Sequence, residues 1–206
     1  NYILMNLSEE DQEEYYDRFW SQIEKNTNDH VDLFIRDYLS VKTQSIPAFK
    51  KVYSTFKNYT QQNQFETKEL LTDLYRYSNF YKDLVEGSSK VKGLNAIIKR
   101  LNYLETSVTR PYFLEVLRLY EERNLSEEDV IAVFNCIESY IVRRIWCAVP
   151  TNALNKLFIG LHREIMNYDG SARDYVKKLY YCLSTKKDNV RFPSDQELKE
   201  AVRTRD

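Results

Sequence analysis

Two adjacent arginines, Arg143 and Arg144, are placed where a charge demands an explanation. They lie in the run Leu125 to Glu164, LSEEDVIAVFNCIESYIVRRIWCAVPTNALNKLFIGLHRE, which reads as two consecutive amphipathic helices. On a projection at about 100° per residue, Val130, Val133, Phe134, Ile137, Ile141 and Ala148 form one apolar stripe. Arg144 falls in the middle of it, and Arg143 points toward its edge. A buried guanidinium needs a carboxylate or carbonyls around its N–H donors. One reading is an ion pair joining two helices, with Glu115, Glu138 and Glu164 as candidate partners. The other is a contact to phosphate or nucleic acid. The first predicts Arg144 buried and bonded to an acid. Arg143, free to reach outward, is then the better placed of the two to touch DNA.

Other chemistry-bearing residues are sparse or scattered. His30 and His162 are the two histidines, and neither has a second ligand three or four residues on. No paired Cys-x₂-Cys, Walker A or G-x-G-x-x-G pattern occurs, so no zinc site or phosphate loop is visible. A Ser/His/Asp or Cys/His pairing would have to assemble in space, and no glycine-flanked nucleophile marks one. The carboxylates mostly open helices or line solvated faces. We therefore expect no catalytic, cofactor or metal site. Tyrosine is abundant, at 17 residues, and two stretches interleave it with cations. Tyr75, Tyr77 and Tyr81 flank Arg76 and Lys82, and Tyr180 and Tyr181 stand among Lys177, Lys178, Lys186 and Lys187. Such mixtures can stack bases beside phosphates, or simply cover half-buried helix faces. Arg143, Lys156, Lys177, Lys178, Lys186 and Lys187 are the candidate DNA contacts.

The elements that must position these groups read as helices throughout. Ser8-Glu9-Glu10-Asp11 and Ser126-Glu127-Glu128-Asp129 are N-caps followed by first-turn acids, and Ser194 with Glu197 is a capping box. Asp29 is expected to start one helix, Ser45-Ile46-Pro47 to open another, and Thr67 to cap a third. Further helices are expected over Val91 to Leu104 and from Arg110-Pro111, Pro150-Thr151-Asn152 and Asp169-Gly170-Ser171. No alternating strand pattern persists. The fold expected is all-α, a multi-helix orthogonal bundle of about 9–11 helices. Gly87-Ser88-Ser89 is the clearest break, and divides subdomains at 1–87 and 88–206, unless the bundle is a single domain.

Composition agrees. Hydrophobic residues are 43% and charged residues 30%, while four glycines and four prolines are too few for turn-rich sheet folds. The net charge of −1 conceals an acidic start and a basic middle: 1–39 holds ten acids against three cations, and 40–110 twelve cations against six acids. The basic middle suits an acidic partner, DNA included, or the acidic start of the same chain. Cys136, Cys147 and Cys182 are an odd set that suits a reducing cytoplasm. No apolar run is long enough for a membrane span. Asn1 and the abrupt stop at Asp206 suggest an internal piece of a longer protein or a trimmed form of a smaller one.

The run Ile137 to Arg144, then Cys147, Pro150-Thr151-Asn152 and Leu154 to Phe158, resembles the central helical region of GmrSD-type restriction proteins. Phe34 to Leu39, Leu7 to Trp20 and Arg191-Phe192-Pro193-Ser194-Asp195 with Thr204-Arg205-Asp206 fit the same region. Such proteins carry a ParB-like N-terminal domain, which uses nucleotide through an Asp-Gly-Gln-Gln-Arg motif, and a C-terminal HNH nuclease. They restrict phage DNA bearing modified bases. Neither motif is present here, so no catalytic residue carries over. The resemblance implies a non-catalytic connector between those domains, with the flanking domains as partners and DNA contact possible. The alternative is a protein-interaction or homo-oligomerisation module.

Overall fold

A computed structural model describes residues 3–5 and 7–204. Among them every regular element is helical. The chain forms two compact units, one ending at Ser88 and the next beginning at Ser89.

In the first unit, α1 (Glu9–Tyr15) starts where Ser8 accepts a hydrogen bond from the Asp11 amide. It runs through a π-helical turn, Tyr16–Trp20, into α2 (Ser21–Asn26). There the Ser21 amide reaches back to the Tyr16 carbonyl, one residue farther than in an α-helix. Helices α3 (Val31–Thr43), α4 (Val52–Asn63) and α5 (Thr67–Glu86) follow, with a 3₁₀ turn, Phe49–Lys51, before α4. Leu71 and Leu74 of α5 are buried with Ile23, Phe34 and Leu39, and Phe34 and Tyr81 meet edge to face at 5.5 Å. The buried Asn26 amide donates to Ser78 and Asn79, both at 3.0 Å, tying α2 to α5.

The second unit contains α6 (Leu94–Tyr103), α7 (Arg110–Glu121), α8 (Glu127–Trp146), α9 (Leu154–Met166), α10 (Tyr175–Ser184) and α11 (Asp195–Thr204). Short 3₁₀ turns occupy Ser107–Thr109 and Asp188–Val190. Helix α8 begins at the capping box formed by Ser126 and Asp129. Its apolar face is buried at Val130, Val133, Phe134, Ile137 and Ile141. Phe134 stacks on Phe113 of α7 at 3.8 Å, and Glu138 pairs with Arg100 of α6.

Several expected boundaries move. Asp29 adopts left-handed backbone and α3 starts two residues later, at Val31. Thr67 is already helical, with Glu66 at the cap position making no side-chain cap bond. Helix α6 starts at Leu94 rather than Val91 because Gly93, at φ +85, turns the chain first. Helix α8 ends at Trp146, so Ala148 does not extend the buried stripe. Its φ is +49 and it is exposed, because the chain turns there and the Val149 amide reaches back to the Arg144 carbonyl.

Candidate functional site

The two arginines on α8 clamp the segment leading into α11. Arg144 is 2% exposed. Its Nη2 donates to the carbonyls of Pro150 (2.6 Å) and Asn189 (2.8 Å), and its Nη1 to that of Arg191 (3.3 Å). Tyr140, one turn earlier, lies 5.1 Å from the guanidinium carbon and donates to the Val190 carbonyl at 2.9 Å. Phe192 packs edge to face on the Tyr140 ring at 5.3 Å. Burial pulls the Arg144 guanidinium below its ordinary pKa, opposed by the Tyr140 hydroxyl. A planar fork suits this cage, since carbonyls diverging around it each receive a separate N–H.

Burial of Arg144 follows the helical period, but the expected acid partner is wrong. Glu138 belongs to Arg100, Glu164 to Lys186, and Glu115 to Arg118 with His162 alongside at 3.4 Å. Backbone carbonyls take the acid's place because the chain folds back over the C-terminal end of α8. Helix-end and turn carbonyls lack intrahelical donors there. Arg143 is only half-buried, yet it too is engaged within the unit. It pairs with Asp195 in the first turn of α11 at 2.6 Å, donates to the Pro193 carbonyl at 3.1 Å and meets Ser139 at 3.3 Å. Ser194 caps α11 by accepting from the Glu197 amide, while Glu197 accepts from the Ser194 amide and from Arg191.

The candidate lysines separate by surroundings. Lys178 is largely covered and bonded to Asp169 and to the Ser171 carbonyl. Lys186 grips both oxygens of Glu164, at 2.6 and 2.7 Å. Lys177 is exposed but paired with Asp174 at 2.8 Å. Lys156 and Lys187 are exposed and make no ion pair among the described residues. The tyrosines separate as well. Tyr77 and Tyr81 are core residues and cannot stack on a base, whereas Tyr168, Tyr180 and Tyr181 are 45%, 49% and 59% exposed. Tyr168 and Tyr181 meet edge to face at 5.8 Å.

No group of three or more His, Cys, Asp or Glu among the described residues is placed to hold a metal ion. His162 lies between the Glu115 carboxylate and the Tyr175 hydroxyl, the latter 3.1 Å from Nδ1. Burial lowers its pKa, Glu115 opposes that, and Arg118 adds to it. The thiols of Cys136 and Cys182 are pushed up to about 12, chiefly by burial. Among the described residues no helix is long and apolar enough to cross a membrane.

Sequence reading missed a groove of about 720 Å³ in the first unit, between α3, α4 and the start of α5. On its lining, Asp73 Oδ2 accepts from the Tyr38 hydroxyl at 2.7 Å and from Lys42 at 2.8 Å. Lys42 Nζ also lies 4.4 Å from the Tyr77 ring centre and 5.2 Å from that of Tyr38. Tyr59 and Phe65, ring centres 5.4 Å apart, also line the groove. Burial first, then the Asp73 carboxylate, raises the Tyr38 phenol well above its ordinary value. The Tyr38 hydroxyl thus keeps its proton and donates it to Asp73. The residues come from three helices, so no local spacing announces them.

Compared with protein-family models, with curated proteins and with solved structures, the chain matches none.

Proposed function

We propose that this chain is the non-catalytic helical connector of a modification-dependent restriction protein, coupling a nucleotide-using domain to an HNH nuclease in the bacterial cytoplasm. The observation that supports this is the α8 clamp. The resemblance rests on separate stretches, and two of them, Ile137–Arg144 and Arg191–Asp195, bond to each other through Arg143 and Arg144, with Tyr140 packed on Phe192. A clamp between them would pass strain from the helices of the second unit to whatever follows α11. Within this reading, DNA contact falls to Lys156 and Lys187, since Arg143, Lys177, Lys178 and Lys186 already have anionic partners.

The gene on either side of this segment tests the role. An HNH motif after Asp206 and an Asp-Gly-Gln-Gln-Arg motif before Asn1 are expected, and the absence of both removes the connector role. The isolated chain is expected neither to cut DNA nor to hydrolyse nucleotides, and either activity would place catalysis here instead. Double replacement of Lys156 and Lys187 by alanine should flatten the salt dependence of any DNA binding between about 50 and 200 mM salt.

A second reading, a protein-interaction or oligomerisation module, is favoured by one observation. The exposed tyrosines of α10 stand beside lysines neutralised by Asp169, Asp174 and Glu164, which suits a protein surface better than a phosphate backbone. A solution mass twice that of the chain, reduced by Tyr180→Ser with Tyr181→Ser, would select it.

A further inference from the structure

We infer that a second, apolar hollow of the first unit is a binding site for a small alkylated ammonium ion with an apolar body. This does not depend on the connector role. The hollow, about 390 Å³, lies between α3, the start of α4 and the π-helical turn. Small-molecule sites have volumes of about 300–1,000 Å³. Four rings contribute to its lining: Trp20, Phe49, Tyr53 and Phe56. Phe56 is buried with Ile35 and Val52, whereas Phe49 and Tyr53 are 54% and 65% exposed. Two large aromatic side chains left in water at one hollow forgo the stabilisation of burial, and a ligand seated there would restore it. Trp20 ends the π-helical turn, a rare kind of turn that is frequent at functional sites. Its indole N–H donates to one oxygen of Glu24 at 2.8 Å, and the Tyr16 hydroxyl donates to the other at 3.0 Å. The indole is thus held in place before any ligand arrives.

The class of ligand follows from what the lining offers. Among the described residues it carries one charge, Asp32, and no cation. Asp32 is exposed and has no ion pair among the described residues. An anion would meet that carboxylate with no cation to offset it. A neutral apolar ligand would fill the hollow but leave the acid and the ring faces without a partner charge. An unmethylated ammonium would need three acceptors where one carboxylate stands. An ammonium bearing methyl groups suits the whole lining, because ring faces and the acid attract its charge and its methyls ask for no acceptor. The pull of these rings on a cation is already visible at Phe49, whose centre is 4.9 Å from the Arg36 guanidinium carbon. Arg36 itself stands off the lining, with its Nε bonded to the Pro47 carbonyl at 3.0 Å.

The test titrates the isotope-labelled chain by NMR with benzyltrimethylammonium, with choline, and with the neutral alcohol in which carbon replaces the choline nitrogen. Parallel titrations use benzenesulfonate and a blocked peptide bearing one trimethylated lysine. Shifts centred on Trp20, Asp32 and Tyr53 are expected, with benzyltrimethylammonium tightest and the neutral alcohol about tenfold weaker than choline. Phe49→Ala with Tyr53→Ser should weaken benzyltrimethylammonium by about tenfold, and Asp32→Asn by about threefold. Tyr103→Ser, in the second unit and 90% exposed, should change nothing. The inference is overturned by equal binding of choline and the neutral alcohol, by benzenesulfonate binding as tightly as the cation, by indifference to the double change at Phe49 and Tyr53, or by no localised shifts. Tighter binding of the trimethylated peptide than of benzyltrimethylammonium overturns the free small ion as occupant.

Discussion

Replacing Arg144 by methionine removes the guanidinium and keeps most of the apolar stem on the α8 stripe. Three carbonyls, those of Pro150, Asn189 and Arg191, then lose their donor. A buried acceptor left unpaired costs roughly 1–3 kcal/mol. Relief from holding an unpaired charge in the interior offsets part of this, because Arg144 has no acid beside it. The net expectation is a loss of about 2–4 kcal/mol, a large share of the stability of an ordinary domain. Arg144→Lys keeps the charge but not the diverging fork, and should recover less than half of the loss. Arg143→Ala removes a pair whose acid, Asp195, is 79% exposed, and should cost only about 1 kcal/mol. The assay is urea unfolding in a Trp20→Phe background, where Trp146 remains as the one tryptophan and reports on the second unit. Hydrogen exchange in α11 should rise in the same order. If Arg144→Met is as stable as the parent, or less damaging than Arg143→Ala, the carbonyl cage contributes nothing and the account of the clamp is refuted.

Gly93→Ala should destabilise the second unit by about 1–2 kcal/mol, since φ is +85 while the nearest atom to the new Cβ, on Ile131, is a comfortable 4.0 Å away. Gly160→Ala, inside α9 with nothing within 4 Å, should instead stabilise by about 0.5–1 kcal/mol, and paired thermal melts give both signs. Because burial lowers the pKa of His162, the unfolded chain binds its proton first. Stability should fall as pH drops below about 6.5, and His162→Gln should remove that part of the slope in pH-dependent unfolding. The Asp169 carboxyl is held down to about 2 by Lys178 and Ser171, so its contribution is complete above about pH 4 and lost as pH falls toward 2. Asp169→Asn should abolish that acid limb. Thiol titration of the native chain at pH 8 should label Cys147, which is half-exposed, and spare Cys136 and Cys182 until denaturant is added.

The local features of the fold were legible where their bonds are local. The caps at Ser8, Ser126 and Ser194 each join residues three apart, so the tetrapeptide contains the whole interaction. Proline at the start of α7 and the apolar periods of α5, α8 and α9 carry similar short-range signals. Misplaced boundaries fell where backbone geometry overrides side-chain preference. Asn28 and Asp29 take left-handed backbone in place of the helix start their sequence also suits, Ala148 takes it although its residue type does not advertise it, and the π-helical turn at Tyr16–Trp20 has no sequence mark of its own.

By itself the sequence determined an all-helical chain, the serine-capped starts of α1, α8 and α11 and the burial of Arg144, because helical period and caps are written within a few residues. It did not determine what surrounds a buried or paired charge. Arg144 meets carbonyls 45 and 47 residues away, Arg143 meets Asp195, and Lys186 meets Glu164 across 22 residues. The groove acceptor Asp73 is held by Tyr38 and Lys42 from another helix. Such partners are chosen by how helices pack, and any of several acids or carbonyls would have satisfied the same local pattern. Only the tertiary structure could decide among them, turning an expected ion pair into a carbonyl clamp and three of the four lysines around Tyr180 and Tyr181 into internal ties.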